Sequence, residues 1–431
     1  MNDFIQQKML PVIMKFVNSK PLVAIKDGVL YSIPAIIIGS IFLLLESFPF
    51  QPVADFFASA GLVPAMDQVV ACSFNMMSLI AVIGITYTYV KNDGHTPLPA
   101  VFIAMTCFFV LQPGMLATDA DATPVIIKDW CSGKGMVAAI IVGLAVGSIY
   151  SWFLTNKITI KMPDQVPDGV SSTFSSLIPG VVLVFVAFAI NAIFDIAFGT
   201  TFLEWIYTVL QAPLQGLTDT LPGMLIAVFL ISFLWWFGIH GAAVVDGVLY
   251  GLWAANAASN QGLVDKGVEL TRAAGAHIVT AQFYDQFIVV TGSCITIGAV
   301  IFMCFFAKSE RYRAIGKVGI IPSIFNVNEP ILFGTPFVMN PFLFIPMVIL
   351  PLVITTIQYL AISWGICPMY TGVMVPWTTP IIISGFLVGG WRTALLQAIT
   401  LALSCAAYFP FMKKLDQIAL EEESQNVAQD A

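Results

Sequence analysis

Charge is what this sequence has least of. Only 10% of its 431 residues are Asp, Glu, Lys or Arg, 58% are hydrophobic, and the mean hydropathy is +0.89. A soluble domain of this size carries far more charge, so the composition excludes one. Cysteine pairs are missing too. Cys72, Cys107, Cys131, Cys294, Cys304, Cys367 and Cys405 are scattered, none forms CxxC, and most lie in apolar runs. They read as buried thiols, not as a metal or redox site. The three histidines form no HExxH or other ligand spacing. No Walker A lysine, dinucleotide glycine pattern or nucleophile elbow occurs, so no ATP site or cofactor is implied. Any energy source must be an ion gradient or another protein. The opening MNDFIQQKMLPVIMKF lacks the long apolar core and cleavage site of a secretory signal. The net charge of −7 comes partly from the tail EEESQNVAQDA and points to no nucleic-acid partner.

What is present is length and apolarity. Aromatics make up 13% of the chain and sit in long apolar runs, not in the alternating pattern of a β-barrel. The expected fold is an all-α polytopic membrane protein of about ten transmembrane helices plus re-entrant hairpins. Met1 to Lys20 reads as an amphipathic helix on the membrane surface. Spans are predicted near residues 29–47, 69–90, 98–111, 136–154 and 180–198. Further apolar runs follow at 224–237, 242–255, 287–306, 343–362 and 393–411. Lys91, Lys157 and Lys161, the cluster KSERYRAIGK and Lys413–Lys414 mark the cytoplasmic side, which puts both termini inside. The polar stretch ITIKMPDQVPDGVSSTFSSLIPG divides the chain into an N-terminal half, 1–178, and a C-terminal half, 179–431. The fifth span, about 180–198, is assignable to either half.

One stretch organises the rest: PSIFNVNEPILFGTPFVMNPFLFIP, from Pro322 to Pro346. Pro330, Pro336 and Pro341 rule out a plain spanning helix, and Asn326, Asn328 and Glu329 stand close together in it. Broken backbone and a carboxylate at membrane depth are tolerated only where protein or a water-filled cavity surrounds them. The stretch therefore reads as a re-entrant hairpin whose tip presents Glu329. Glu329 is either a helix-end carboxylate or an acceptor for a hydroxylated solute. Asn326 and Asn328 offer both donors and acceptors.

Other candidates are more open. His240, in WWFGIHGAAVVDG, is either a satisfied interior histidine or a ligand group. Gly238 and Gly241 permit a sharp turn or close backbone approach. Trp235 offers an aromatic face, whereas Trp236 reads as an interfacial anchor. Gln282 and Asp285, in TAQFYDQF, are either a polar span end or a site. Trp377, in PWTTP, is either a cavity stacker or an interfacial anchor.

At this point the residues become familiar. FNVNEPILFGTPFVMNP resembles the signature of the membrane permease subunit, enzyme IIC, of the lactose/cellobiose/diacetylchitobiose class of the bacterial sugar phosphotransferase system. KMPDQVPDGVSSTFSSLIPG, LWWFGIHGA, GSCITIG and VPWTTP are similar to that family's blocks, in the same order. The resemblance implies a homodimer in the cytoplasmic membrane with ten spans and two re-entrant hairpins. It implies an N-terminal interface half and a C-terminal transport half that encloses a disaccharide. By the same resemblance Glu329 and His240 contact the sugar, Trp235 and Trp377 pack on it, and Asn328 flanks the carboxylate. The phosphoryl group would come from a cysteine on a separate enzyme IIB, charged by IIA upstream, so the chain alone would be no enzyme. Gln282 departs from an expected lysine, and PSIFNVNEP from a more usual PSGIFQINEP. Cellobiose is the first expectation, diacetylchitobiose or lactose the second. The competing reading is an ion-coupled transporter or facilitator for a polar solute.

Overall fold

The computed structural model describes residues 19–46, 51–117, 122–163, 165–238 and 240–429. The surface helix expected over Met1 to Lys20 lies, but for its last two residues, outside them. Among the described residues six helices are long and apolar enough to cross a membrane: Lys20–Glu46, Val63–Asn92, Gly133–Thr155, Leu177–Phe198, Pro341–Ser363 and Ile383–Gln425. The pair Phe202–Thr218 and Leu221–Trp236, bent by 77°, makes a seventh if it is one span. The sole sheet among the described residues is a two-stranded ribbon pairing Met115–Ala117 with Ala122–Pro124.

The count falls short of ten because several apolar runs are not single straight helices. Residues 98–111 form only the 13-residue helix Leu98–Val110. The run 242–255 lies inside one longer helix, Gly241–Val264. The predicted span 287–306 is overturned. Its helix is confined to Ile297–Phe305, and the residues before it follow an irregular, buried path. The hairpin expected over Pro322–Pro346 is also shorter than predicted. Pro322 lies in the last turn of the helix Glu310–Ile324, and Pro341 already opens the Pro341–Ser363 span. The prolines explain this. Pro330 and Pro341 stand in the first turns of their helices, where a missing N–H costs nothing. Pro346 falls in a π-helical turn, Ile345–Ile349, that absorbs the lost bond.

The chain forms two compact units. Among the described residues one comprises those of 19–42, 64–216 and 246–259, the other those of 43–63, 217–245 and 260–429. In the first, Met77–Asn92 packs on Lys20–Leu30, Leu98–Val110 and Met136–Thr155. Small residues set these contacts. A methyl group at Gly28 would lie 2.4 Å from Ile85 N, and one at Gly84 2.3 Å from Gly28 O. Close backbone packing of this kind is what holds helices together in lipid. The Leu177–Phe198 span belongs to this unit and ends at Gly199, whose φ is 63°.

The second unit holds the irregular backbone. Its helix Glu310–Ile324 carries most of the basic cluster KSERYRAIGK. Ser309 caps it by accepting from Tyr312 N, and Asp416 accepts from Lys308 N at 2.9 Å and Ser309 N at 3.0 Å. Glu423 accepts from the next two N–H groups, at 3.2 and 3.1 Å. Both acids come from the long helix Ile383–Gln429, which kinks at Gly389 and Gly390. Carboxylates at a helix N-terminus satisfy its orphan donors and its dipole.

Candidate substrate site

Three non-helical segments meet inside the second unit, and two asparagines join them. In the first, Thr291, Gly292, Cys294 and Ile295 have φ of 62°, 89°, 67° and 52°. Left-handed backbone at Thr and Ile is strained and persists only where surroundings over-determine it. Here every neighbour contributes. Asn326 Oδ1 accepts from Thr291 N at 2.6 Å. Asn328 Nδ2 donates to Ser293 O and to Thr296 Oγ1, both at 2.7 Å. Ser404 and Tyr408 hydroxyls donate to Ile295 O and Cys294 O at 2.6 and 2.8 Å.

Asn326 itself has a φ of 66°. Its Nδ2 donates to Trp377 O and, at 3.0 Å, to Thr379 O. One carboxamide thus ties the 291 turn, the 325–340 hairpin and the PWTTP segment together. Both amide hydrogens of Asn326 and of Asn328 are occupied, and both residues are buried. The donors that the sequence reading offered to a sugar are spent on the protein, so these asparagines position the segments. Glu329 follows Asn328 directly and opens the six-residue helix Glu329–Gly334.

Gln282 and Asp285 lie on the short helix Ala281–Asp285 and are buried. Gln282 Nε2 donates to Thr371 O at 2.7 Å and Val373 O at 2.9 Å, just before Trp377. Its Oε1 has no hydrogen-bond partner among the described residues. Trp377 is 44% exposed. His240 and Trp235 come together, with ring centroids 4.4 Å apart, at the join of Leu221–Trp236 and Gly241–Val264. That join turns at Gly238, φ 78°, which lies against Val338 of the hairpin. A methyl group at Gly241 would lie 2.1 Å from Ile231 O, so this glycine serves the turn. Trp236 Nε1 donates to Asn340 O and Trp236 O accepts from Met339 N, which fixes the hairpin's far end.

Two further polar hubs escaped the sequence reading. Gln397 Oε1 accepts from Ile382 N at 2.6 Å and Gly385 N at 2.9 Å, while its Nε2 donates to Gln286 O at 2.7 Å. Asp219 Oδ1 accepts from Ile278 N and Val279 N at 2.8 and 2.7 Å. Its Oδ2 pairs with Arg272 and lies 3.0 Å from His277 Nδ1. This clamp fixes the strand of chain leading into Gln282. A lone Gln or Asp beside apolar runs was the signal available for both.

The family model described as "Phosphotransferase system, EIIC" matches residues 26–351 of this chain. The chain belongs to that family. It is 34% identical, over its whole length and 97% of the relative, to the oligo-beta-mannoside-specific EIIC component of Bacillus subtilis (strain 168). The cellobiose-specific EIIC component of Geobacillus stearothermophilus is 33% identical over 97% of this chain and 95% of its own. The crystal structure of ChbC, the IIC component of an N,N'-diacetylchitobiose-specific phosphotransferase system, superposes with a TM-score of 0.92. That match is 34% identical and covers 98% of this chain and 99% of ChbC. The expected family is thereby established. The chain is the translocating EIIC component of a phosphotransferase system, a multi-pass membrane sugar permease of the cellobiose/lactose/diacetylchitobiose class.

Proposed function

We propose that this permease binds a β-linked disaccharide, with cellobiose the first candidate and diacetylchitobiose or lactose the second. It delivers the sugar across the bacterial cytoplasmic membrane to the phosphocysteine of a separate IIB protein, which IIA charges. In this reading Glu329 and His240 contact the sugar, and Trp235 and Trp377 supply apolar faces. Asn326, Asn328 and Gln282 hold the segments that carry them, and Asp285 stands on the same short helix as Gln282. The permease works as a homodimer with both termini in the cytoplasm.

The observation that carries this reading is the meeting of three broken segments on Asn326 and Asn328, the latter one residue before Glu329. Broken helices inside a membrane unit are where transporters hold polar solutes. The relatives' names supply the sugar class, and several are β-linked glucans or mannosides. The test is sugar phosphorylation in proteoliposomes holding the permease, with phosphoenolpyruvate, the general phosphotransferase proteins that pass its phosphoryl group on to IIA, IIA and IIB on one side. Labelled cellobiose should emerge phosphorylated only with IIB present, and collapse of a proton gradient should change nothing. Accumulation of unmodified sugar driven by an ion gradient, without IIB, would favour the secondary-transporter reading.

A further inference from the structure

We propose that the helix Glu310–Ile324 is a binding surface for anionic phospholipid, headgroup on its first half and acyl chains on its second. The helix is divided lengthwise. Tyr312, Gly316, Gly319 and Ser323 form the buried stripe. Gly316 lets the helix press on the backbone of Met303 and Cys304, where a methyl group would come within 2.5 Å. The opposite face changes character halfway. Arg311, Arg313 and Lys317 are exposed on the first two turns, with Lys308 just before them. Val318, Ile321, Ile324 and Phe325 then occupy the exposed side, at 70, 66, 42 and 49%.

A helix lying flat on a membrane separates polar from apolar around its circumference. One that separates them along its axis enters the membrane end-on, basic end at the headgroups. The preceding helix supports this depth. It ends in Phe305 and Phe306, 69 and 57% exposed, beside the start of the basic half.

The basic groups are available. Of the nearby carboxylates, Asp416 and Glu423 point their oxygens at N–H groups of residues 308–311, while Glu310 opens the helix itself and is exposed. Among the described residues no carboxylate lies within ion-pairing distance of Arg311, Arg313 or Lys317. Arg313 donates to Ala307 O at 3.3 Å, and Arg311 lies over the Tyr312 ring. Basic residues within a Debye length of an anionic leaflet attract its headgroups. A soluble protein docking on the basic half would leave the apolar half uncovered. A lipid covers both.

The experiment uses the full chain in phosphatidylcholine vesicles with a trace of photoreactive lipid, its diazirine in the acyl chain. Labelling of peptide 318–325 is read by mass spectrometry, with the exposed apolar stretch 181–198 as internal reference. A phosphatidylglycerol probe should label 318–325 about fivefold more than a phosphatidylcholine probe, the preference one basic contact gives. In the triple variant R311Q/R313Q/K317Q the ratio should fall to about one. Sugar binding should stay at the wild-type level, which confirms assembly. Equal labelling by both probes in the wild type would overturn the proposal, as would an absence of label on 318–325. A triple variant that keeps the preference but loses phosphorylation at high IIB would overturn it in favour of a protein-docking face.

Discussion

Asn326 combines a φ of 66° with a carboxamide bonded to three backbone groups, at Thr291, Trp377 and Thr379. Asparagine is one of the few side-chain-bearing residues that visits left-handed backbone readily. The two contributions can be separated. Asn326→Gly keeps the backbone conformation and removes the staple, leaving buried groups unpaired at a cost of about 2–3 kcal/mol. Asn326→Ala adds roughly 1 kcal/mol of backbone strain. Thermal unfolding in detergent should therefore rank wild type above N326G above N326A. Equal midpoints for the two variants would mean that φ contributes nothing. Glu329 calls for the opposite kind of test, because its proposed role is in binding and not in packing. A carboxylate beside a sugar hydroxyl accepts a charge-assisted bond. Glu329→Gln keeps the shape, and should weaken disaccharide binding by about 30-fold or more, on roughly 2 kcal/mol lost. Its unfolding midpoint should stay near wild type. Wild-type affinity in E329Q would remove the carboxylate's charge from sugar recognition.

At the level of elements, what the sequence shows well is the unbroken helix. Leu177–Phe198 matches the predicted span because a 22-residue run, apolar but for Asn191 and Asp195 and with its one proline in the first turn, leaves one option. The broken elements were legible as breaks but not as shapes. Prolines at 330 and 341 read as interruptions, whereas in the fold they start helices. The run 287–306 read as a span since hydropathy cannot tell a buried irregular segment from a helix. Its left-handed turns depend on side chains from 326, 328, 404 and 408, far off in sequence. The candidate residues Asn326 and Asn328 were visible as polar groups in an apolar stretch, but not that their amides face inward. Gly292 tests this account. Its φ is 89°, and a methyl group there would lie 2.2 Å from Asn328 Cγ. Asn328 is pinned by two bonds and cannot yield. Gly292→Ala should cost at least about 3 kcal/mol and abolish sugar binding. Gly262→Ala, in a helix with open space around it, should be neutral or slightly stabilising. Comparable melting midpoints for the two variants would show that the 291–296 turn is not held as described.

For the whole molecule, the remaining question is which side of the membrane each end of the transport path faces. Basic residues are sparse enough that each cluster is informative. Lys91 and Lys157 with Lys161 stand at or just past helix ends, Lys308 to Lys317 lead into and open the helix Glu310–Ile324, and Lys413 with Lys414 lie within the long helix Ile383–Gln429, past its apolar stretch. The stretches 48–68 and 199–221 contain no Lys or Arg. Short loops rich in Lys and Arg stay in the cytoplasm. Lys308 and Asp55 are both exposed, so a cysteine at either position is open to a thiol reagent. In a background lacking the native cysteines, a membrane-impermeant maleimide added to intact cells should label D55C and spare K308C. Inverted vesicles should reverse the pattern. The donor IIB is cytoplasmic in the proposed reaction, so the phosphorylated sugar must leave on the Lys308 side. Labelling of K308C from outside would reverse the permease in the membrane, and no cytoplasmic phosphoryl donor could then meet the sugar after inward transport.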